Sequence, residues 1–290
     1  MRRESIDAST LQKMIIAGAN RLDANKQMVN DLNVFPVPDG DTGTNMSLTI
    51  LAAAKEVGSI TTDDVYAIAK AASSGSLRGA RGNSGVILSQ LVRGFSRGLE
   101  HQTVVDGVVL ANALKKGADT AYKAVMKPKE GTILTVAREM ASKAVEIAPE
   151  IDDIIELLTE VIRHGRDTLN QTPEMLPVLK EAGVVDAGGE GLMCILEGAL
   201  AVLTGEEVEL VYVQPEPQTQ TPGHEHFHNF NVEDITFGYC TEFIVNRNDS
   251  IAYDENQLKE FLSTIGDSIV VVSDEDYIKV HVHTDHPGQA

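Results

Sequence analysis

The sequence predicts a multidomain protein, with an all-α bundle or barrel over residues 1–206 and a small α+β domain over residues 236–290. Two observations predict this division. Before residue 206, apolar residues return every three or four positions, whereas afterwards they alternate or cluster as they do in strands. The charge changes at the same place, because residues 206–290 hold 17 of the 43 acidic residues but only 3 of the 24 basic residues.

Eight or so helices are predicted in the first domain, and no convincing strand interrupts them. The segments are Ser9 to Val29, Met46 to Val57, one opened by Thr62-Asp63-Asp64, one containing Val86 to Leu91, Val104 to Val125, Thr132 to Ile147, Ile151 to Leu169, Pro177 to Glu181 and one ending near Leu203. Their apolar stripes require a shared core.

After residue 206 the pattern changes to short strands. Residues 208–213 read as a strand within a linker, residues 207–235, that carries a His-rich loop. Further strands are expected at Phe237 to Val245, Ile269 to Val272 and Tyr277 to Val282, with a helix around Asn256 to Ile265. Because the sequence stops directly after a strand, we expect the native chain to continue and this domain to be truncated.

The composition indicates a cytoplasmic protein. A net charge of −19 argues against nucleic acid or anionic lipid as the main partner. Cys194 and Cys240 are the only cysteines and no signal peptide is evident, so we expect neither disulfides nor secretion. The sequence contains no run of about 18 consecutive apolar residues, so no membrane span is predicted. The acidity serves either solubility or docking of a basic protein surface.

The loop Asn33–Met46 reads N-V-F-P-V-P-D-G-D-T-G-T-N-M and is the most informative stretch. Asp39 and Asp41 lie one residue apart in a turn that its glycines allow to fold tightly, before a helix that Thr44 can cap. Two close carboxylates form half a cage for Mg²⁺, which substrate phosphates usually complete. A plain turn or a degenerate calcium loop is the alternative, although the calcium pattern is incomplete.

Glycines gather again before a helix start in Ser73–Gly85. Free backbone N–H groups and the positive end of a helix dipole bind phosphate, and Ser84 adds a hydroxyl. The segment matches neither common nucleotide-binding glycine motif. The alternative is a helix crossing at which glycine allows close packing. A third glycine-rich turn, Asp186–Gly191, precedes the last helix.

These three motifs on one helical domain resemble the nucleotide-binding L subunit of dihydroxyacetone kinases. The catalytic subunit of bacterial fatty acid kinase is the more similar family member, on the motifs N-V-F-P-V-P-D-G-D-T-G-T-N-M and G-A-R-G-N-S-G-V-I-L-S-Q. In the second domain, F-G-Y-C-T-E-F and V-H-V-H-T-D resemble the middle domain of that kinase. The resemblance covers residues 5–205 and continues into the second domain. It implies an eight-helix barrel that binds ATP and two Mg²⁺ ions at one end.

The resemblance also implies site residues. It assigns Mg²⁺ to Asn33, Asp39 and Asp41, although Asn33 offers a neutral oxygen where the family has an aspartate. Asp39, Asp41 and Thr44 would serve phosphoryl transfer. The expected nucleotide-binding residues are Thr42, Gly43, Asn45, Gly82, Asn83, Ser84, Gly85, Asp186, Gly188 and Gly189.

The implied function is an ATP-dependent kinase subunit that phosphorylates a fatty acid presented by a separate fatty-acid-binding protein, giving an acyl phosphate for lipid metabolism. A carboxylate acceptor is already ionised at neutral pH, and residues 33–91 contain no histidine to act as a base. One alternative is a dihydroxyacetone-kinase-type subunit that takes phosphate from a phosphotransfer protein and keeps bound ADP. The other is a non-catalytic nucleotide-sensing module. A homodimer is expected.

Cys240, His281 and His283 form a second constellation. Residues two apart on a strand face the same side, and one thiolate with two imidazoles suits Zn²⁺. Water, Asp285 or one of His224, His226 and His228 would complete the site. The alternatives are a surface histidine pair beside a core cysteine, and a phosphohistidine relay.

Overall fold

The computed structural model describes residues 2–206, 208, 236–248, 253–273 and 277–290. They form two compact units, one helical and one built on a small sheet. The helices of the first unit are α1 (Ala8–Asp31), α2 (Thr42–Gly58), α3 (Val65–Gly79), α4 (Gly82–Gly98), α5 (Gly107–Ala124), α6 (Ile133–Ile147), α7 (Ile154–Met175), α8 (Pro177–Ala182) and α9 (Ala187–Thr204). Apart from Val208, the predicted strand at 208–213 and the linker with its histidines lie outside the described residues.

The eight long helices close into a ring, which confirms the predicted eight-helix barrel. Successive helices pack on one another from α1 to α4, α6 packs on α7, and α9 packs on both α7 and α1. α5 completes the ring, since Gly94 of α4 lies against the Lys116 backbone and Arg138 of α6 donates to Tyr122 Oη at 2.9 Å. Each long helix thus buries an apolar stripe between two neighbours.

Aspartates cap the starts of five helices of this unit. Each accepts a hydrogen bond from a backbone N–H in the first turn, a donor that has no partner within the helix; they are Asp7, Asp64, Asp106, Asp153 and Asp186. At the start of α2, Asp41 occupies the N-cap position but its side chain makes no capping bond. The helix therefore does not use the Asp41 carboxylate.

The glycine-rich segment Ser73–Gly85, which was expected to lead into a helix start, is itself helical over most of its length. α3 continues to Gly79, and only Ala80 and Arg81 separate it from α4. A Cβ at Gly75 would lie 2.7 Å from Ala52 O of α2, so this glycine allows two helices to approach closely. The helix-crossing alternative therefore holds before residue 80, and a loop exists only at the start of α4.

The second unit contains β1 (Tyr239–Asn246), α10 (Glu255–Ser263), β2 (Gly266–Ser273) and β3 (Tyr277–Thr284). The sheet is antiparallel in the order β1-β3-β2, so β3 is central. α10 packs against β2, and its Leu262 joins Val271, Val280 and Val282 in a buried core. The predicted α+β unit is confirmed, with every described strand inside or slightly beyond its expected limits.

α9 is the one described helix that is long and apolar enough, by length and composition alone, to cross a membrane. In the structure 67% of this helix is buried inside the protein. It packs on α1, α2, α6 and α7. Burial of that extent is the behaviour of a core helix.

Candidate active site

Asn33 shapes the acidic loop. Its side chain is buried, and its Oδ1 accepts hydrogen bonds from the backbone N–H groups of Asp41 (3.1 Å) and Thr42 (3.2 Å). Its Nδ2 donates to Val37 O at 2.9 Å. Asn33 therefore folds the loop back on itself and caps α2 from a distance. Because the Oδ1 atom already accepts two backbone hydrogen bonds, the structure favours a positioning role for Asn33 over the Mg²⁺-ligand role expected from the sequence.

Thr44 does not cap α2, contrary to prediction, because the helix begins two residues earlier at Thr42. Instead Thr44 is held by Asn30 of α1, whose Oδ1 accepts from Thr44 N and whose Nδ2 donates to Thr44 Oγ1, both at 3.0 Å. The first turn of α2 is thus fastened to α1. A Cβ at Gly43 would overlap Lys26 O, which shows how closely the two helices approach there.

Asp39 and Asp41 crowd one another at the start of α2. Burial of its carboxyl group, followed by the charge of Asp41, raises the pKa of Asp39 to about 7. Because Asp39 as a whole residue is exposed, we give the like charge more weight than the lost hydration. The nearby charge of Asp41 thus disfavours ionisation of Asp39. A divalent cation with oxygen preference would relieve that repulsion, so the donor set fits Mg²⁺.

The start of α4 meets the start of α2. Gly82 has φ of +57°, a conformation that favours glycine, and a Cβ there would lie 2.6 Å from Asn45 Nδ2. A Cβ at Gly85 would overlap Thr49 Oγ1 and lie 3.3 Å from Asn45 O. Two motifs that are about forty residues apart in the sequence are therefore in contact, as the prediction of a shared phosphate site requires.

Asn83, in the first turn of α4, carries a buried acceptor without a protein partner. Its Oδ1 forms no hydrogen bond with any residue that the structure describes. Such an orphaned polar atom is costly unless something pairs with it. Next to it, Ser84 is half-buried. An unpaired acceptor in the first turn of α4 fits a polar ligand that donates a hydrogen bond at this position.

Asp186 joins the starts of α9 and α6. Its Oδ2 accepts from Gly189 N at 2.7 Å, and the carboxylate also accepts from Ile133 N, the first residue of α6. Its own backbone N–H donates to Thr172 Oγ1 at 3.1 Å. Complete burial raises the pKa of Asp186 to about 6, although the two N–H donors act in the opposite direction. Gly188 lies against Ile133, and a Cβ there would lie 3.2 Å from the Ile133 side chain, a tight contact.

Four helix starts therefore meet at one end of the barrel. α4 touches α2 through Gly82 and Asn45, α9 touches α2 through Gly191 and Met46, and α9 touches α6 through Asp186. Each helix start carries roughly half a positive charge. Their convergence beside two crowded carboxylates can hold an anion and its cation together.

The sheet of the second unit brings Cys240, His281 and His283 together. Cys240 pairs in register with His283, and the three ligand atoms lie within 4.8 Å of one another. Cys240 Sγ is 3.9 Å from each ring nitrogen of His281. Burial, with the charges of His283 and Lys279, lowers the pKa of His281 to about 3, and burial also lowers the pKa of His283. Neutral imidazoles are the form that binds metals.

The comparisons with known proteins agree with this geometry. The DAK2 domain profile matches residues 36–201, which is more than half of the chain. The chain belongs to the DAK2-domain family. Behind this DAK2 domain, residues 236–290 match the middle domain of the FakA-like fatty acid kinase proteins. The predicted family and the predicted kinase-like, nucleotide-binding class of the helical unit are thereby confirmed.

Relatives with the same arrangement are longer. Protein YloV of Bacillus subtilis (strain 168) is 49% identical over 288 residues, which cover 98% of this chain and 52% of that protein. An uncharacterized protein of Staphylococcus aureus (strain NCTC 8325 / PS 47) is 46% identical over 286 residues, with the same coverage. This chain therefore spans about half the length of these relatives. The crystal structure of dihydroxyacetone kinase from C. freundii in complex with AMP-PNP and Mg²⁺ is 17% identical, with a TM-score of 0.49 over 68% of this chain and 34% of that chain.

The DAK2 domain assembles most of the residues predicted from the sequence. Asp39, Asp41, Thr42 and Asn45 lie at the start of α2, and the 82–85 motif lies against them. The Asp186 motif adjoins through α9. The roles of these residues in binding and transfer stay predictions.

Two features of the DAK2 domain were missed at the sequence level. Asn30 is one, because an asparagine inside a helix gives no sign that it will hold a distant threonine. The other is the start of α6 at Ile133, which joins the site through Asp186. The predicted segment Thr132 to Ile147 located that helix start, but nothing in its sequence indicated a ligand.

Proposed function

We propose that this chain is the ATP-binding kinase part of an enzyme that phosphorylates the carboxylate of a fatty acid. The acceptor would be presented by a separate fatty-acid-binding protein, and the product would be an acyl phosphate. The proposal is carried by one combination: a DAK2 domain with its acidic loop and helix starts in contact, followed by a fatty acid kinase-like middle domain.

In this proposal Asp39 and Asp41 would hold Mg²⁺, which would neutralise charge on the transferring phosphoryl group. The backbone N–H groups at the starts of α2 and α4 would bind phosphate oxygens. Asp186 would fix the α6 and α9 starts beside the nucleoside through the bonds it makes to both. The acceptor carboxylate is ionised at neutral pH, so these residues need only orient it, and no base is required.

The acidic second unit is the docking surface we propose for the carrier. Of its described bases, Lys279 pairs with Glu242 at 3.0 Å and Lys259 with Glu255 at 2.7 Å, which leaves other acidic residues of this unit for a basic partner. We also propose a homodimer, since β1 is an outer strand with exposed Tyr239 and Ile244. Light scattering that gives a monomer mass would refute the dimer.

The test of the main proposal is product formation. Protein, Mg-ATP and a fatty-acid-binding protein loaded with oleate are mixed, and acyl phosphate is trapped with hydroxylamine as the hydroxamate. Asp41→Ala is expected to abolish the product while leaving the far-ultraviolet circular dichroism unchanged. Asp119→Ala, an exposed aspartate on α5, serves as control. Absence of hydroxamate with the wild type would refute the proposal.

The two alternatives give different results in a single-turnover assay with labelled ATP. A dihydroxyacetone-kinase-type subunit would keep ADP bound and accept phosphate from a phosphotransfer protein. A sensing module would bind Mg-ADP and release no product with any acceptor. Transfer of label to the fatty acid distinguishes the proposed kinase from both.

A metal centre in the second unit is a separate proposal, favoured by the Cys240–His281–His283 cluster. Tetrahedral Zn²⁺ with its usual bond lengths of about 2.0–2.3 Å needs ligand atoms about 3.6 Å apart, close to the 3.9 Å between Cys240 Sγ and His281. Asp285 already accepts from Gly238 N at 2.7 Å through Oδ1. We expect about one zinc per chain by elemental analysis.

The matched control uses the other cysteine. Cys240→Ser should lose the bound zinc, whereas Cys194→Ser, which changes a buried thiol in the helical unit, should retain it. Equal zinc in both variants would remove Cys240 as a ligand and favour the histidine-pair interpretation.

A further inference from the structure

Arg81 lies at the junction of the two phosphate-site motifs. It is the N-cap of α4, in an extended conformation, and its carbonyl accepts the first bond of that helix from Gly85 N at 3.0 Å. Its neighbour Gly82 touches Asn45 in the first turn of α2. The backbone of Arg81 is therefore fixed beside the start of α2, which directly follows the acidic loop.

The guanidinium of Arg81 is not used by the fold. Several arginines of this acidic protein are paired, for example Arg78 with Glu56 at 2.8 Å and Arg138 with Glu130 at 2.7 Å. Arg81 is exposed and forms no ion pair with any residue that the structure describes. A positive charge held next to a binding site and committed to no carboxylate is available to a ligand.

The proposed reaction needs such a charge. An acceptor carboxylate must approach the terminal phosphate of ATP, and both groups are anions. In the transfer, a carboxylate oxygen forms a bond to the γ-phosphorus, the bond from that phosphorus to the bridging oxygen breaks, and ADP leaves with the electron pair. No proton moves. The Mg²⁺ that Asp39 and Asp41 would hold would neutralise part of the charge on the phosphates, and a cation on the acceptor side would reduce the repulsion that remains between donor and acceptor.

We infer that Arg81 is a catalytic residue that binds the transferring phosphoryl group and the acceptor carboxylate together. This inference rests on the proposed function. A guanidinium presents several N–H donors in a planar fork, so one arginine can donate to oxygens of both groups. Lysine offers a compact charge without the fork and should substitute poorly.

The experiment compares Arg81→Gln and Arg81→Lys with Arg97→Gln, which removes an exposed arginine from the last turn of the same helix. Calorimetry measures the affinity for Mg-ADP with and without aluminium fluoride, a mimic of the phosphoryl group in transfer. Hydroxylamine trapping measures the rate with oleate-loaded carrier. The first readout does not depend on the acceptor.

For the wild type we expect aluminium fluoride to tighten Mg-ADP binding by about 100-fold or more. Arg81→Gln should keep its affinity for Mg-ADP within about twofold, lose the tightening, and lower kcat by about 100- to 1,000-fold. Arg81→Lys should recover only part of both effects, and Arg97→Gln should equal the wild type.

Three results would overturn the inference. They are full tightening in Arg81→Gln, no tightening in the wild type, and loss of Mg-ADP binding itself in Arg81→Gln, which would make Arg81 a nucleotide-binding or structural residue. A wild type that shows the tightening but forms no acyl hydroxamate would refute the proposed function instead. In that case the fluoride comparison still decides whether Arg81 binds the phosphoryl group.

Discussion

Substitution of Gly85 by alanine tests the contact between α2 and α4. The added methyl group would overlap Thr49 Oγ1, a fully buried hydroxyl that donates to Asn45 O at 2.6 Å and therefore cannot easily move. Overpacking of this kind costs about 1–3 kcal/mol. Replacing glycine by alanine returns about 0.4–1 kcal/mol through the unfolded chain. We expect a net loss of roughly 0.5–2 kcal/mol, measured by guanidinium chloride unfolding.

The same change should also affect catalysis, because α4 must shift away from α2. A displacement of 1 Å can lower a rate on the order of 100-fold, and hydroxylamine trapping measures it. Gly58→Ala is the matched control, since the end of α2 has open space around that glycine, and it should be neutral or slightly stabilising.

A double-mutant cycle identifies the clashing atom. Thr49→Ala removes the hydroxyl that the new methyl group would overlap. The double variant should therefore lose less free energy of unfolding than the two single variants lose together, by at least about 0.5 kcal/mol. If Gly85→Ala unfolded at the wild-type denaturant concentration and retained full activity, the close approach of the two helix starts would be refuted.

Three further predictions concern the carboxylates and the loop. Asp186→Asn removes a buried acid whose pKa is about 6 in the folded protein and 3.8 in the unfolded chain. Between these values the folded state binds the extra proton, so the free energy of unfolding of the wild type should fall as pH rises from about 4 to 6. The fall should be on the order of 3 kcal/mol relative to the variant. If the free energy of unfolding changed by the same amount between pH 4 and pH 7 in the wild type and in Asp186→Asn, this prediction would be contradicted. Asp41→Asn should lower the pKa of Asp39 from about 7 toward its ordinary value by removing the like charge, as an NMR titration of the Asp39 carboxyl carbon would show. Asn33→Ala should cost about 1–2 kcal/mol through loss of the cap. Asn33→Asp should keep the acceptor for the N–H groups of Asp41 and Thr42 but lose the bond to Val37 O, so its stability should lie between those of the wild type and Asn33→Ala. A Mg-ADP affinity that rises in Asn33→Asp would instead support a metal-ligand role.

Most of the fold could be predicted from the sequence. Helical periodicity is a local property, so each long helix was found, although α4 and α7 extend seven and six residues beyond their predicted ends. The segment Ser73–Gly85, for which a phosphate-binding and a helix-packing interpretation were both open, shows the limit of that approach. A glycine that serves a turn and a glycine that serves close packing look the same in one dimension, and only the position of Ala52 on α2 distinguishes them.

The order of amino acids established which residue types are available: two acids in a tight turn, glycines before helix starts, and Cys240 with two alternating histidines. Those patterns follow from backbone rules that act over a few residues. Which of them meet was settled by the packing of whole helices, because contacts such as Gly82 with Asn45 depend on how the helices cross. The same packing directs the Asn33 side chain to the loop backbone. It also leaves Arg81 without an ion-pair partner among the described residues. Such partners are decided only when segments distant in the sequence come together.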